Sequence, residues 1–157
     1  MLSKLVHTNP HAAPTILRLA LGAVFFAHGA QKMLGWWGGR GFSATMSGFE
    51  HTGIPALFAF LVIAAEFFGG LGLILGLLSR VAAFGIACVM VVAIAKVHAV
   101  NGFFMNWGGR QKGEGFEFHV LVLAMTAAIM IAGSGAWSVD RMLSRSAPAA
   151  RREEAMP

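Results

Sequence analysis

Glu66 is the only charged residue in positions 55–78, a run of 24 residues that is otherwise overwhelmingly apolar. At a rise of about 1.5 Å per residue that run is about 36 Å long, enough to cross a hydrocarbon core of about 30 Å with some tilt. A carboxylate near the middle of such a span costs at least about 2.5 kcal/mol, so it must be neutral, paired or turned toward a polar cavity. Groups that could serve it stand in the neighbouring apolar segments. His28, Gln31 and Lys32 lie late in the first, Lys96 and His98 late in the third, and Glu117 and His119 early in the fourth. Arg18 lies near the opposite end of the first segment. His28 and Lys32 are four apart and share a helix face. The two-residue spacings of Lys96 with His98 and of Glu117 with His119 send one member of each pair away from any common centre. His98 is expected to face inward and Lys96 to snorkel outward; for the fourth segment the spacing leaves the choice open.

A carboxylate beside imidazoles can hold and pass a proton near neutral pH. Quinone chemistry needs protons delivered to an apolar ring site, and these residue types within helices could supply them. On this reading Glu66, His28 and His98 relay protons or hydrogen-bond a ligand, while Arg18, Gln31, Lys32, Glu117 and His119 line the same outward-opening pocket. A haem between His28 and His98, or a metal held with His119 and a carboxylate, is the sharper alternative, but no short ligand motif supports either and no metal site is expected. Plainer roles exist for each group. Lys32 and Lys96 read also as interfacial anchors, Arg18 as a snorkelling residue, and Glu66 and the histidines as helix-to-helix hydrogen bonds.

The elements that must position these groups follow from the composition. The chain has 157 residues, 57% of them apolar and only 12% charged; soluble domains carry about 25% charged residues. Four long apolar segments predict an all-α integral membrane protein, an antiparallel bundle of four transmembrane helices over about 14–33, 55–78, 80–100 and 116–133. These make one transmembrane domain over 14–135, after a short lead over 1–13 and before a basic tail over 136–157 that is partly disordered beyond about Leu143. The segments between helices, 34–54 and 101–115, read as loops rich in Gly, Trp and Phe, suited to a membrane interface. Gly72 and Gly76 form a GxxxG pair for close helix contact.

Charge sets the orientation. With both termini inside, the cytoplasmic face carries Lys4, Arg18, Arg80, Arg141, Arg145, Arg151 and Arg152, against Lys32, Arg40, Lys96, Arg110 and Lys112 outside. That bias, densest in the tail, favours N-in and C-in, and the net charge of +5 reads as contact with the lipid bilayer and not with nucleic acid. A single cysteine, Cys88, excludes an intrachain dithiol. The N-terminal run makes a poor signal peptide, because Arg18 interrupts it, and is expected to remain as the first helix. A weak repeat is also present. His28 precedes Trp37-Gly-Gly-Arg40 by nine residues, and His98 precedes Trp107-Gly-Gly-Arg110 by nine. This suggests a parallel two-plus-two arrangement in which both histidines lie at similar depth.

The stretches RLALGAVFFAHGAQKM (18–33) and AEFFGGLGLILGLLSRVAA (65–83), followed by the His98 region and the start of the fourth helix at Glu117, resemble the DoxX family of small bacterial membrane proteins. The resemblance implies a four-helix bundle in the cytoplasmic membrane. It also implies a redox association, since some relatives are described as subunits of a thiosulfate:quinone oxidoreductase and others as membrane partners of redox complexes. It assigns no catalytic residue. The leading reading is a quinone-linked oxidoreductase subunit, with no cofactor fixed and with a redox partner protein or a second copy of the chain as associates. Proton-coupled transport of a small solute and a non-catalytic membrane scaffold are the alternatives.

Overall fold

The computed structural model describes residues 5–8 and 10–146. Its main elements are α1 (Ala12–Leu34), α2 (Gly41–His51), α3 (Ala56–Leu75), α4 (Ser79–Ala93), α5 (Glu117–Ala132) and α6 (Val139–Ser146). Helical structure continues beyond α4 through a π-turn over Ile94–His98 and a 3-10 turn over Ala99–Asn101, so the whole segment Ser79–Asn101 spans 23 residues. Three segments, α1, α3 and Ser79–Asn101, are long and apolar enough to cross a membrane; α5 is apolar but has only 16 residues, about 24 Å. The molecule is thus a helical membrane protein.

One stretch read as a loop in the sequence carries helix. The expected loop over 34–54 contains α2, whose Phe42, Met46 and Phe49 recur at helical spacing. Of the basic tail, Val139–Ser146 is helical, and the disorder expected beyond about Leu143 falls mostly on residues 147–157, which lie outside the described ones.

Successive long helices run antiparallel. Gly22 on α1 meets Gly70 and Ile74 of α3, and Gly29, two turns later, meets Glu66 and Phe67. A Cβ on Gly29 or Gly70 would overlap the backbone of the facing helix, so this crossing needs residues without side chains. The close approach therefore uses Gly22, Gly29 and Gly70 and not the expected Gly72–Gly76 pair. Gly76 instead caps α3 in the left-handed region at φ 67°, where a Cβ would strike Ser138. α3 turns sharply into α4, and α4 packs along α5, with Arg80 beside Met130 and Ile131 and His98 beside His119 at the other end. Leu21, Phe25, Leu73, Ile86, Val89, Val122 and Ile129 fill the space between the helices.

The end of the bundle bearing the start of α1 and helix α6 is locked by buried polar groups. Arg18, 1% exposed, donates to the carbonyls of Leu73 (2.9 Å) and Ile74 (2.6 Å) in the last turn of α3. It also donates to the carbonyls of Ser134 (2.8 Å), Ala136 (3.3 Å) and Trp137 (2.6 Å). Asp140 of α6, equally buried, accepts from the backbone N–H of Leu78 (2.8 Å) and Ser79 (3.1 Å) and from the Ser134 hydroxyl. A carboxylate from another helix thereby caps α4, which has no side-chain cap of its own. Arg80 binds the carbonyls of Leu5 and His7, pinning the N-terminal lead to the same end.

Candidate functional site

A cavity of about 430 Å³ opens between the helices at the end opposite that lock. α1 contributes Phe25, His28 and Lys32, spaced three and four apart on one face. α3 contributes Glu66, α4 Val89, Met90 and Ala93, and α5 Phe118 and His119; α2 closes one side with Phe49, and the 101–116 connection adds Met105 and Glu114. His98 joins them through the π-turn. Five residues make nearly one and a half turns of an α-helix but little more than one of a π-helix. His98 therefore returns to the face of Ala93, while Lys96 is left exposed.

Glu66 is 5% exposed and forms a hydrogen-bonded ion pair with Lys32 across the α1–α3 crossing, the one salt bridge among the described residues. The glycines at that crossing explain the pair. They bring the two backbones close enough for a lysine on one helix to reach a carboxylate on the other. The pair leaves a buried carboxylate compensated by a cation whose side chain is itself 27% exposed, an arrangement open to solvent on the Lys32 side.

His98 and His119 face each other with ring centroids 4.2 Å apart at 46°. Nδ1 of His98 lies 2.8 Å from the Glu114 carbonyl. A carbonyl only accepts, so that nitrogen carries the proton, and in the neutral ring Nε2 is left as an acceptor. His119 is 5% exposed, and its Nδ1 is buried without a hydrogen-bond partner. A buried polar atom of this kind costs about 1–3 kcal/mol unless something satisfies it. The site has the make-up of a ligand pocket: a wall largely of Phe, Met and Val, and a few convergent polar groups.

The residues expected at this site divide. Glu66, Lys32, His28, His98 and His119 line one cavity; His28 stands at its exposed edge. Of the two-apart pair in α5, His119 faces the cavity. Glu117 turns the other way and does not line it; its carboxylate accepts from the Met105 N–H (3.0 Å) and from Trp107 Nε1 (3.2 Å), anchoring the connection that roofs the site. Gln31 lines a neighbouring cavity. Arg18 is not a lining residue at all, because every donor group it has is spent on the carbonyls of the opposite end. Glu114, Met105 and Phe49 were missed. For Phe49 the apolar spacing within α2 was a readable signal; for the other two, only the fold of an irregular segment brings them in.

The two Trp-Gly-Gly-Arg stretches adopt different conformations. Trp36–Gly38 forms a 3-10 turn leading into α2, with Trp37 at φ 50°, whereas the second lies in a turn closed by the Gly109 N–H on the Asn106 carbonyl. Among the described residues no three His, Cys, Asp or Glu side chains converge as a metal-binding group.

The DoxX family profile matches residues 13–99. The chain is 33% identical over 152 residues to an "Uncharacterized membrane protein Rv3486" of Mycobacterium tuberculosis, covering 93% of this chain and 90% of that one. It is 27% identical over 125 residues to the "Putative oxidoreductase CatD" of Bacillus subtilis, covering 80% and 82%. It is 31% identical over 111 residues to the "Inner membrane protein YqjF" of Escherichia coli, covering 71% and 81%. No solved structure matches the chain. Its apolar helices and these relatives identify a multi-helix protein of the bacterial cytoplasmic membrane. With the family profile running over more than half its length and a relative aligned along nearly all of it, this chain belongs to the DoxX family.

Proposed function

We propose that the cavity binds a quinone or a similarly small oxidised substrate and that the chain serves quinone-linked redox chemistry in the membrane. The observation that carries this reading is the unpartnered Nδ1 of His119, buried in a largely apolar cavity of about 430 Å³. A neutral imidazole with a free N–H satisfies a ring carbonyl, and the Phe and Met walls suit the ring itself. Reduction of such a ligand takes two electrons and two protons. His119 is placed to donate to a carbonyl oxygen, His98, whose Nε2 accepts in the neutral ring, to receive the hydroxyl of the reduced ring, and Glu66 with Lys32 links the cavity to the exposed side for proton delivery. The electrons come from a reduced partner protein or substrate. A relative named an oxidoreductase agrees with this assignment.

The accompanying topology has four spans with both termini in the cytoplasm, α5 crossing with its short helix extended by the flanking segments. The clustering of Arg18, Arg80 and the α6 arginines at one end, with the cavity at the other, supports it. Purified protein in lipid nanodiscs is assayed for quinone reduction with a generic electron donor and for quinone-dependent rise in melting temperature. Loss of both in Glu66→Gln and His119→Phe with the fold intact is the expected result. Full turnover in both variants would show that the cavity is not the reaction site.

A further inference from the structure

Lys32 borders two cavities. Besides the one it shares with Glu66, it lines a second of about 350 Å³ formed with Gln31, the Gly38-Gly39 turn, Arg40, Thr45 and Gly48. Three donor side chains of this second cavity, the Arg40 guanidinium, the Gln31 amide and the Thr45 hydroxyl, make no hydrogen bond or ion pair among the described residues. No acidic side chain lines it. It also lies at the start of α2, an 11-residue helix whose N-terminus has no side-chain cap, which adds positive potential. Trp36, Trp37 and Phe42, all exposed beside it, mark the depth of a membrane interface.

We propose that this second cavity binds a tetrahedral anionic oxygen group, as carried by a phospholipid headgroup or a free oxoanion, and that the bound anion competes with Glu66 for Lys32. Arg40 supplies the planar fork that such groups select, and Thr45 and Gln31 add neutral donors. The competition follows from Lys32 having one ammonium between two anions. When the anion draws it away, Glu66 remains buried without a counter-charge. The other ionisable groups lining the cavity around it are His28, His98, His119 and Glu114, none of which is ion-paired with Glu66. The uncompensated carboxylate then takes up a proton, because a buried lone charge costs more than protonation. Anion binding in one cavity thus loads a proton into the other. The site needs nothing of the quinone reading, and its test involves no turnover.

The test uses the full chain in detergent and in nanodiscs. Sulfate is the free-oxoanion probe and phosphatidylglycerol, against phosphatidylcholine, the lipid probe; neither anion titrates near neutral pH, so any proton taken up belongs to the protein. Binding is read by calorimetry for sulfate and by lipid retention in native mass spectrometry. Proton uptake is read in weakly buffered solution with sulfate or a short-chain, soluble phosphatidylglycerol as titrant. Arg40 is exposed and unbonded, so Arg40→Gln should fold, and it is expected to weaken binding about tenfold or more. Wild type should take up about one proton per anion bound, and Glu66→Gln should bind the anion with no uptake. Retention of phosphatidylglycerol without sulfate binding assigns the site to lipid, and the reverse assigns it to a soluble anion. Binding of neither, or binding unchanged by Arg40→Gln, overturns the site. Binding without proton uptake in the wild type overturns the competition for Lys32.

Discussion

Removing the lysine and removing the carboxylate of the buried pair should have unequal consequences, and the inequality follows from exposure. Glu66 has a side chain only 7% exposed, against 27% for Lys32. Lys32→Met leaves a carboxylate with little access to water. Breaking a buried pair in this way costs about 3–5 kcal/mol in soluble proteins, and a lone carboxylate at mid-membrane costs at least about 2.5. Because the cavity beside Glu66 admits some water, about 2–3 kcal/mol is the expected loss at pH 8. Glu66→Gln leaves instead an ammonium on a flexible stem that can turn to the exposed side, and an amide that can still accept its hydrogen bond. Its cost should be about 1 kcal/mol or less. In the double variant neither charge is buried alone, and stability should return to within about 1 kcal/mol of the wild type. The assay is reversible unfolding in mixed micelles, with the four proteins compared at pH 8 as a double-mutant cycle. Additive single losses, or a Glu66→Gln loss as large as that of Lys32→Met, would refute the account, since either would mean the pair is solvated and weakly coupled.

Other consequences are open to the same measurements. Arg18→Lys keeps the charge but cannot reach five carbonyls on two segments; it should cost about 2–3 kcal/mol, and Arg18→Met more, by unfolding in mixed micelles. Gly29→Ala inserts a methyl group into the Phe67 backbone, so it should lower stability by about 1–3 kcal/mol and weaken the Lys32–Glu66 coupling in the cycle above, because α1 and α3 are forced apart. His119→Phe removes the unsatisfied imidazole, so its melting temperature should hold or rise while ligand binding is lost; a fall in stability comparable to that of a core truncation would show that the imidazole has a partner in the fold. Asp140→Ala strips the cap from α4, and limited proteolysis should then release α6 first, a result checked by mass spectrometry of the fragments.

Composition and hydrophobic pattern by themselves determined that this is a helical membrane protein, where its long apolar helices lie to within a few residues, and that Glu66 could not be left facing lipid. Those conclusions rest on local physics: segment length against bilayer thickness and the cost of a buried charge do not depend on what a residue touches. The family was legible for the same reason, since its marks are contiguous stretches. Partner choice was not legible. Lys32 as the partner of Glu66 depends on how closely Gly29 and Gly70 let two helices approach. His98, expected to face inward, does line the cavity, but by way of a π-turn that shifts the phase of its helix, which residue spacing read at 3.6 per turn does not reveal. Arg18 looked like a pocket residue because a cation in an apolar run suggests function. The tertiary structure made it a clamp between the last turn of α3 and the connection that follows α5, and no linear pattern states where those two will meet.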